Sequence, residues 1–80
     1  MNIEIYTSQA CAYCKNAKVL LQKKGLDFLE IDISSNADKV SEMVERSGRQ
    51  TVPQIFIDGK SIGGFMELAK INNAGELTGS

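Results

Sequence analysis

The sequence predicts an α/β protein built on a four-stranded mixed sheet flanked by three helices, in the order β-α-β-α-β-β-α. Apolar residues switch between a period of two and a period near 3.6 along the chain. The segments are short and are separated by Gly25, Gly48, Asp58-Gly59, Gly63-Gly64 and the only proline, Pro53. The opening strand–helix–strand run implies parallel strands joined by a right-handed crossover, because no tight turn can return a parallel strand. Asp58-Gly59, set between two strand-like runs, is a two-residue hairpin signal and makes the last two strands antiparallel.

Residues 2–6 alternate, with Ile3 and Ile5 on one face of a first strand. From Cys11 or Ala12 to about Lys24 the spacing is helical. Cys14, Ala17, Leu20 and Leu21 form one stripe, lysines fill the rest, and Gly25 stops the helix. Residues 27–33 read as a second strand with Leu29, Ile31 and Ile33 on one face. Ser35 or Asn36 caps a second helix whose stripe is Ala37, Val40, Met43 and Val44, ending at Gly48. Gln54 to Ile57 and Lys60 to Ile62 are the hairpin strands. Phe65 to about Asn72 is the last helix, and Gly75 to Ser80 is expected to fray. There is no repeat or linker, so residues 1–80 are expected to form one domain.

Composition excludes several functions. The chain is 42% hydrophobic and 24% charged, as in globular proteins, and no apolar run nears the length of a membrane span. The first residues lack a basic and apolar leader, so the expected location is cytoplasmic, with no membrane partner. Histidine is absent, which removes Ser/His and Cys/His catalysis and every His-ligated metal site. Net charge is −1 and the aromatics are few, so no nucleic-acid partner is expected. Charge is uneven: residues 1–25 hold four Lys against one Glu, whereas residues 26–47 hold six acids against two bases. The basic segment carries both cysteines. Two cysteines are too few for a disulfide scaffold or a closed four-ligand zinc site in one chain, so no metal site is expected.

Cys11-Ala12-Tyr13-Cys14 falls where the first strand gives way to its helix. Three residues of helical spacing bring the two sulfurs within bonding reach. The helix start offers unpaired N–H groups and positive dipole potential, which favour a thiolate on the first cysteine. Cys14 lies on the sheet-facing stripe and is expected to be buried and less acidic. A thiol whose pKa falls from ~8.5 to ~5 becomes roughly 30-fold more ionised at pH 7. With a Brønsted slope of ~0.45, each thiolate also becomes roughly 40-fold less nucleophilic. The two effects cancel in attack rate. The gain lies in leaving-group quality and in selecting which cysteine reacts. The pattern therefore implies thiol–disulfide exchange, with Cys11 attacking and Cys14 resolving. A packing pair or half of a zinc site is the bland alternative, weakened by the absence of a second pair and of histidine.

Pro53 opens the third strand, where its missing N–H is tolerated. Residues alone leave two readings. A trans proline that starts the strand is favoured. A cis Val52–Pro53 bond would turn the chain so that the Val52 backbone could dock an extended thiol peptide. Gly63-Gly64 allows close backbone approach before a helix start that attracts carboxylate, or is simply a turn. Glu67, in that helix's first turn, complements the dipole with or without a ligand.

Five runs carry a family resemblance in this order and spacing: Ile5-Tyr6-Thr7, Cys11-Ala12-Tyr13-Cys14, Arg46-Ser47-Gly48-Arg49, Thr51-Val52-Pro53-Gln54-Ile55-Phe56-Ile57 and Ile62-Gly63-Gly64. The chain resembles a glutaredoxin of the short bacterial dithiol type from roughly Ile3 to Leu77. That resemblance implies a thioredoxin fold, a cis Pro53, and glutathione as co-substrate with no tightly bound cofactor. It implies Cys11 as nucleophile and Cys14 as resolving thiol. It also implies a glutathione site in which Tyr13 flanks the peptide and Thr51, Val52 and Pro53 form the stretch that pairs with its cysteine backbone. Gly64, Phe65, Met66 and Glu67 then meet its γ-glutamyl end. The implied partners are glutathione and disulfide-bonded or glutathionylated proteins, and the implied state is a monomer.

The chain departs from the family pattern in four places. Ala12 replaces a proline, Ser8 stands where many members have lysine, Met66 replaces a small polar or acidic residue, and the last helix and tail are short. Lys15, one turn past Cys11, either substitutes in part for the missing charge or, as is usual for an exposed lysine, is simply solvated. Weaker glutathione binding than is typical is expected. Two other readings share the motif: reduction by a flavoprotein thioredoxin reductase, and a [2Fe–2S] cluster held by Cys11 from two chains with two glutathiones.

Overall fold

The computed structural model describes residues 1–77 and contains β1 (Ile3–Thr7), α1 (Ala12–Lys23), β2 (Leu29–Asp32), α2 (Ala37–Ser47), β3 (Gln54–Ile57), β4 (Lys60–Gly63) and α3 (Phe65–Asn73). The sheet order is β2-β1-β3-β4. β1 runs parallel to β2, with Tyr6 opposite Ile31, and antiparallel to β3, with Ile5 opposite Ile55. β3 and β4 form an antiparallel hairpin with a bulge at Ile55/Phe56. This is the thioredoxin fold, with the expected element order.

Alternation along β1 sends successive side chains to opposite faces, and each face has its own cover. Ile3 and Ile5 meet Ala17 and Leu21 of α1, Leu68 of α3 and Ile55 of β3 in one buried cluster. Tyr6 and Phe56 point the other way and pack on Met43 of α2. Their rings meet edge to face, with centroids 5.6 Å apart. Arg46 of α2 ties this second face together. Its guanidinium lies 4.0 Å from the Phe56 ring centroid, bonds Glu4 at 2.9 Å and donates to the Tyr6 hydroxyl at 2.8 Å. Tyr6 in turn donates to Glu42.

Local signals act as expected at most boundaries. Asn36, rather than Ser35, caps α2 by accepting the Lys39 N–H at 3.2 Å. Asp58 and Gly59 have φ of 52° and 80°, as a tight hairpin whose twist matches its strands requires. The asparagine N–H at position 2 locks that turn by donating to Asp58 at 2.8 Å.

Four expectations change. The Val52–Pro53 bond is cis, so the trans reading favoured by the residues alone is wrong and the form implied by the resemblance is right. β2 is shorter than residues 27–33 and lies at the sheet edge, so Leu29 is 59% exposed although it shares a face with Ile31. In α2 only Met43 of the four-residue stripe is buried and Ala37 is exposed, because the helix touches the sheet through its middle and end. The tail does not fray at Gly75. After α3 the chain turns through Gly75, Glu76 N–H bonds the Ile71 carbonyl at 3.0 Å, and Leu77 is fully buried in the α1–α3 cluster. Residues 78–80, the end of that predicted tail, lie outside the described residues.

Leu77 is therefore a core residue. Leu77→Ala should destabilise the fold by about 2–4 kcal/mol, the cost of a buried leucine cavity, read as a lower urea midpoint with an unchanged m-value. A change below about 0.5 kcal/mol would show that the tail contributes nothing.

Candidate active site

The first turn of α1 is built around a sulfur. Cys11 is the N-cap residue, with extended backbone (φ −115°, ψ 111°), and its Sγ accepts the Cys14 N–H at 3.1 Å. A thiol here replaces the usual Ser, Thr, Asp or Asn oxygen. No acidic side chain occupies that turn, so sulfur alone faces the positive end of the helix. Cys11 Sγ–H also points at the Val52 carbonyl, 3.6 Å away, which links the helix start to the segment around Pro53.

Cys14 has the opposite surroundings. It is 1% exposed and lies on the inner stripe of α1. Burial, followed by its hydrogen bond with Cys11, pushes its thiol up to about 12. A backbone hydrogen bond from Ser8 and the charge of Lys18 oppose that rise. Both cysteines are free thiols.

On one side of Cys11 lies a groove of ≈ 160 Å³. All eight residues assigned by resemblance to glutathione line it: Tyr13, Thr51, Val52, Pro53, Gly64, Phe65, Met66 and Glu67. Three chain segments meet there. Tyr13 comes from α1, the 51–53 turn precedes β3, and residues 64–67 start α3. The Tyr13 and Phe65 rings stack at 6.1 Å, and Tyr13 and Met66 are 59% and 62% exposed along the rim. Gly64 approaches the Pro53 carbonyl so closely that a Cβ would sit 3.3 Å from it. Gly63 has φ of 118°, and a Cβ there would lie 2.7 Å from the Glu67 carboxylate. The double glycine thus serves close approach as well as the turn.

Glu67 occupies the anion position at the start of α3. Its Oε1 accepts the Gly64 N–H at 2.6 Å, and that bond holds its carboxyl below the usual carboxylate range. An incoming carboxylate would compete with it for this N–H.

Two groove residues were not singled out from the sequence. Arg49 lines the groove and lies 3.8 Å from Glu67. Gln54 is buried, donates to Thr51 Oγ1 at 3.2 Å and leaves its own Oε1 without a partner. Both stand inside the quoted runs, but nothing in their spacing marks them as groove-facing. Ser8 and Lys15 lie elsewhere, in a second hollow of ≈ 250 Å³ that also holds Cys11 and Cys14.

A paired dithiol at a helix start, one sulfur capped and accessible and the other buried, beside a proline turn on a thioredoxin fold defines a thiol–disulfide oxidoreductase. Comparison with known proteins narrows the class. The glutaredoxin family model matches residues 3–62, and the chain belongs to the glutaredoxin family. It is 53% identical to Glutaredoxin 3 of Escherichia coli (strain K12) over 95% of this chain and 92% of that protein. It is 41% identical to the glutaredoxin of Pseudomonas aeruginosa, over 94% and 89% of the two chains. The solution structure of glutaredoxin from Brucella melitensis superposes with a TM-score of 0.83 at 45% identity, covering 96% of this chain and 84% of that one. A buckwheat glutaredoxin–glutathione complex superposes with a TM-score of 0.85 at 27% identity, covering 94% and 71%. The chain is thus a glutathione-dependent thiol–disulfide oxidoreductase, with glutathione as the family's co-substrate.

The contrast between the cysteines gives a direct check. A small alkylating agent applied to the reduced native protein at pH 6 should modify Cys11 almost alone, with Cys14 reacting only after denaturation. Mass mapping of the labelled peptides reads this, and equal labelling of both would overturn the assignment.

Proposed function

We propose that Cys11 is the nucleophile and Cys14 the resolving thiol in the reduction of protein disulfides and glutathionylated proteins. The observation that carries this reading is the single hydrogen bond between Cys14 N–H and Cys11 Sγ at the start of α1, beside a thiol buried to 1%. The whole chain, residues 1–80, acts as one glutaredoxin domain, a cytoplasmic monomer working on proteins rather than on nucleic acid. Among the described residues no helix is long and apolar enough to cross a membrane.

On a glutathionylated protein, the Cys11 thiolate attacks the glutathione sulfur. The mixed disulfide breaks, the protein leaves as a thiolate and takes a proton, and Cys11 carries glutathione. A second glutathione thiolate then attacks that sulfur, yielding glutathione disulfide and restoring the Cys11 thiolate. On a protein disulfide, Cys11 forms a mixed disulfide with the substrate. Cys14 then loses its proton and attacks Cys11, which releases the reduced protein and leaves a Cys11–Cys14 disulfide for two glutathiones to reduce. Bonding Cys11 to substrate removes the negative charge that a Cys11 thiolate would place beside Cys14. Cys14 is therefore more easily ionised after the first step than before it.

Glutathione fits the first groove with its cysteine backbone against Thr51, Val52 and Pro53, its body along Tyr13, and its γ-glutamyl end at Gly64, Phe65, Met66 and Glu67. Support comes from the convergence of all eight residues on one groove, and from the glutathione-bound state of the buckwheat relative. Arg49, on the same wall, is the one guanidinium there for a carboxylate of the peptide. Met66 offers that end only backbone and an apolar side chain.

Two outcomes test the reading. Cys14→Ser should keep glutathionyl reduction in a glutathione-coupled assay and lose protein-disulfide reduction, whereas Cys11→Ser should lose both. Retention of either activity by Cys11→Ser would sink the assignment. Ser8→Lys should lower KM for a glutathionylated peptide about two- to fivefold, as one added surface charge does at moderate salt, and should lose that gain in high salt. An unchanged KM would show that the missing charge is irrelevant.

A further inference from the structure

The second hollow contains a charge that the exchange scheme has not used. Lys18 lies four residues after Cys14 on α1, so the two side chains are neighbours one turn apart. Lys18 is held in place. Its Nζ bonds Glu30 Oε2 at 2.9 Å, and the same oxygen accepts from the buried Thr7 hydroxyl at 2.8 Å. Thr7, Lys18 and Glu30 line the hollow together with both cysteines. Its other charged groups are Lys15 from α1 and Asp32 from β2. Asp32 is engaged elsewhere, accepting the Ser34 N–H at 2.9 Å. Residues of α3 on this face of the sheet, Phe65, Leu68 and Ile71, are apolar.

We infer that Lys18, oriented by Glu30 and Thr7, is a positioning residue for the resolving step, stabilising the thiolate that must form on Cys14. In that step Cys14 gives its proton to solvent and its sulfur bonds Cys11. The Cys11–substrate disulfide breaks and the substrate leaves as a thiolate. One disulfide forms as one breaks, so no further oxidant or reductant enters. A buried thiolate without a nearby cation is the costly species in this sequence, and Lys18 is the ammonium placed one helical turn from it. Its charge favours ionised Cys14, as the thiol's surroundings already indicate. Lys18 stays partly exposed, at 31% of its side chain, so its effect is moderated by water rather than absent.

This inference rests on the reading of Cys14 as the resolving thiol, and the experiment separates the two. Reduced protein is mixed with a disulfide-bonded protein, quenched with acid, and assayed for the trapped mixed disulfide and for released dithiol. The pH profile of release is recorded for wild type, Lys18→Met, Lys18→Arg and Cys14→Ser, alongside glutathionyl reduction, which needs Cys11 alone. Lys18→Met should slow release about three- to tenfold at pH 7, accumulate the Cys11 mixed disulfide and raise the midpoint of the profile by about half a unit to one unit. Its glutathionyl reduction should be unchanged, and Lys18→Arg should restore release. Equal loss of both activities in Lys18→Met, or unchanged release, would overturn the role of Lys18. If Cys14→Ser releases dithiol at the wild-type rate, the reading of Cys14 itself falls.

Discussion

The active site depends on a sulfur taking the place of an oxygen at a helix N-cap. Every α-helix begins with N–H groups that lack partners inside the helix, and a side-chain acceptor must meet them. Here Cys11 Sγ meets the Cys14 N–H at 3.1 Å. One contact therefore caps the start of α1 and ties the backbone of Cys14 to the sulfur of Cys11. Structure and chemistry share the same atom. Oxidation or alkylation of Cys11 therefore alters the cap of α1 as well as the reactive group.

That helix start would be useless without a fixed partner surface, and the fixing comes from the far side of the sheet. The loop that brings Val52 and Pro53 to the groove connects α2 to β3. α2 is pinned by Met43 in the core and by Arg46, which reaches Glu4, Tyr6 and the face of Phe56. The burial of Met43 outweighs any of the ion pairs. Truncating a buried residue of this size costs about 2–5 kcal/mol, whereas partly exposed pairs such as Lys18–Glu30 contribute roughly 0.2–1 kcal/mol. Arg46 adds orientation more than strength, since its planar fork satisfies a carboxylate, a phenol and a ring at once. Charge near the cysteines matters in the same way, by favouring one protonation state of one sulfur rather than by holding the fold.

Most of the fold was legible because its signals are local. Asp58-Gly59 specifies a hairpin by the φ values those residues tolerate, and Asn36 specifies a helix start by an oxygen within reach of its own backbone. The Cys-x-x-Cys spacing and the Cys14–Ala17–Leu21 stripe placed one sulfur at a helix start and the other inside, and both placements hold. The burial of Leu77 is not legible because the cluster it joins includes Ile3, Ile5, Ala17 and Leu21, distant in the chain, and a short polar tail carries no sign of where it docks. Leu29 was misread for the converse reason. Alternation reports which face a residue takes, but not that its strand lies at the edge.

The sequence by itself determined the element order, the dithiol at the head of the first helix, and the family whose motifs it repeats. These follow from spacing and from residue chemistry over a few positions. The cis Val52–Pro53 bond was implied by the family's motifs, while the local residues favoured trans. Only the tertiary structure brought Arg49 and Gln54 to the same groove as Tyr13 and Glu67, and set Glu30 against Lys18 beside Cys14. Those arrangements join residues from separate strands and helices. Their geometry is set by how a twisted sheet brings its strand ends together, which no local pattern in the chain encodes.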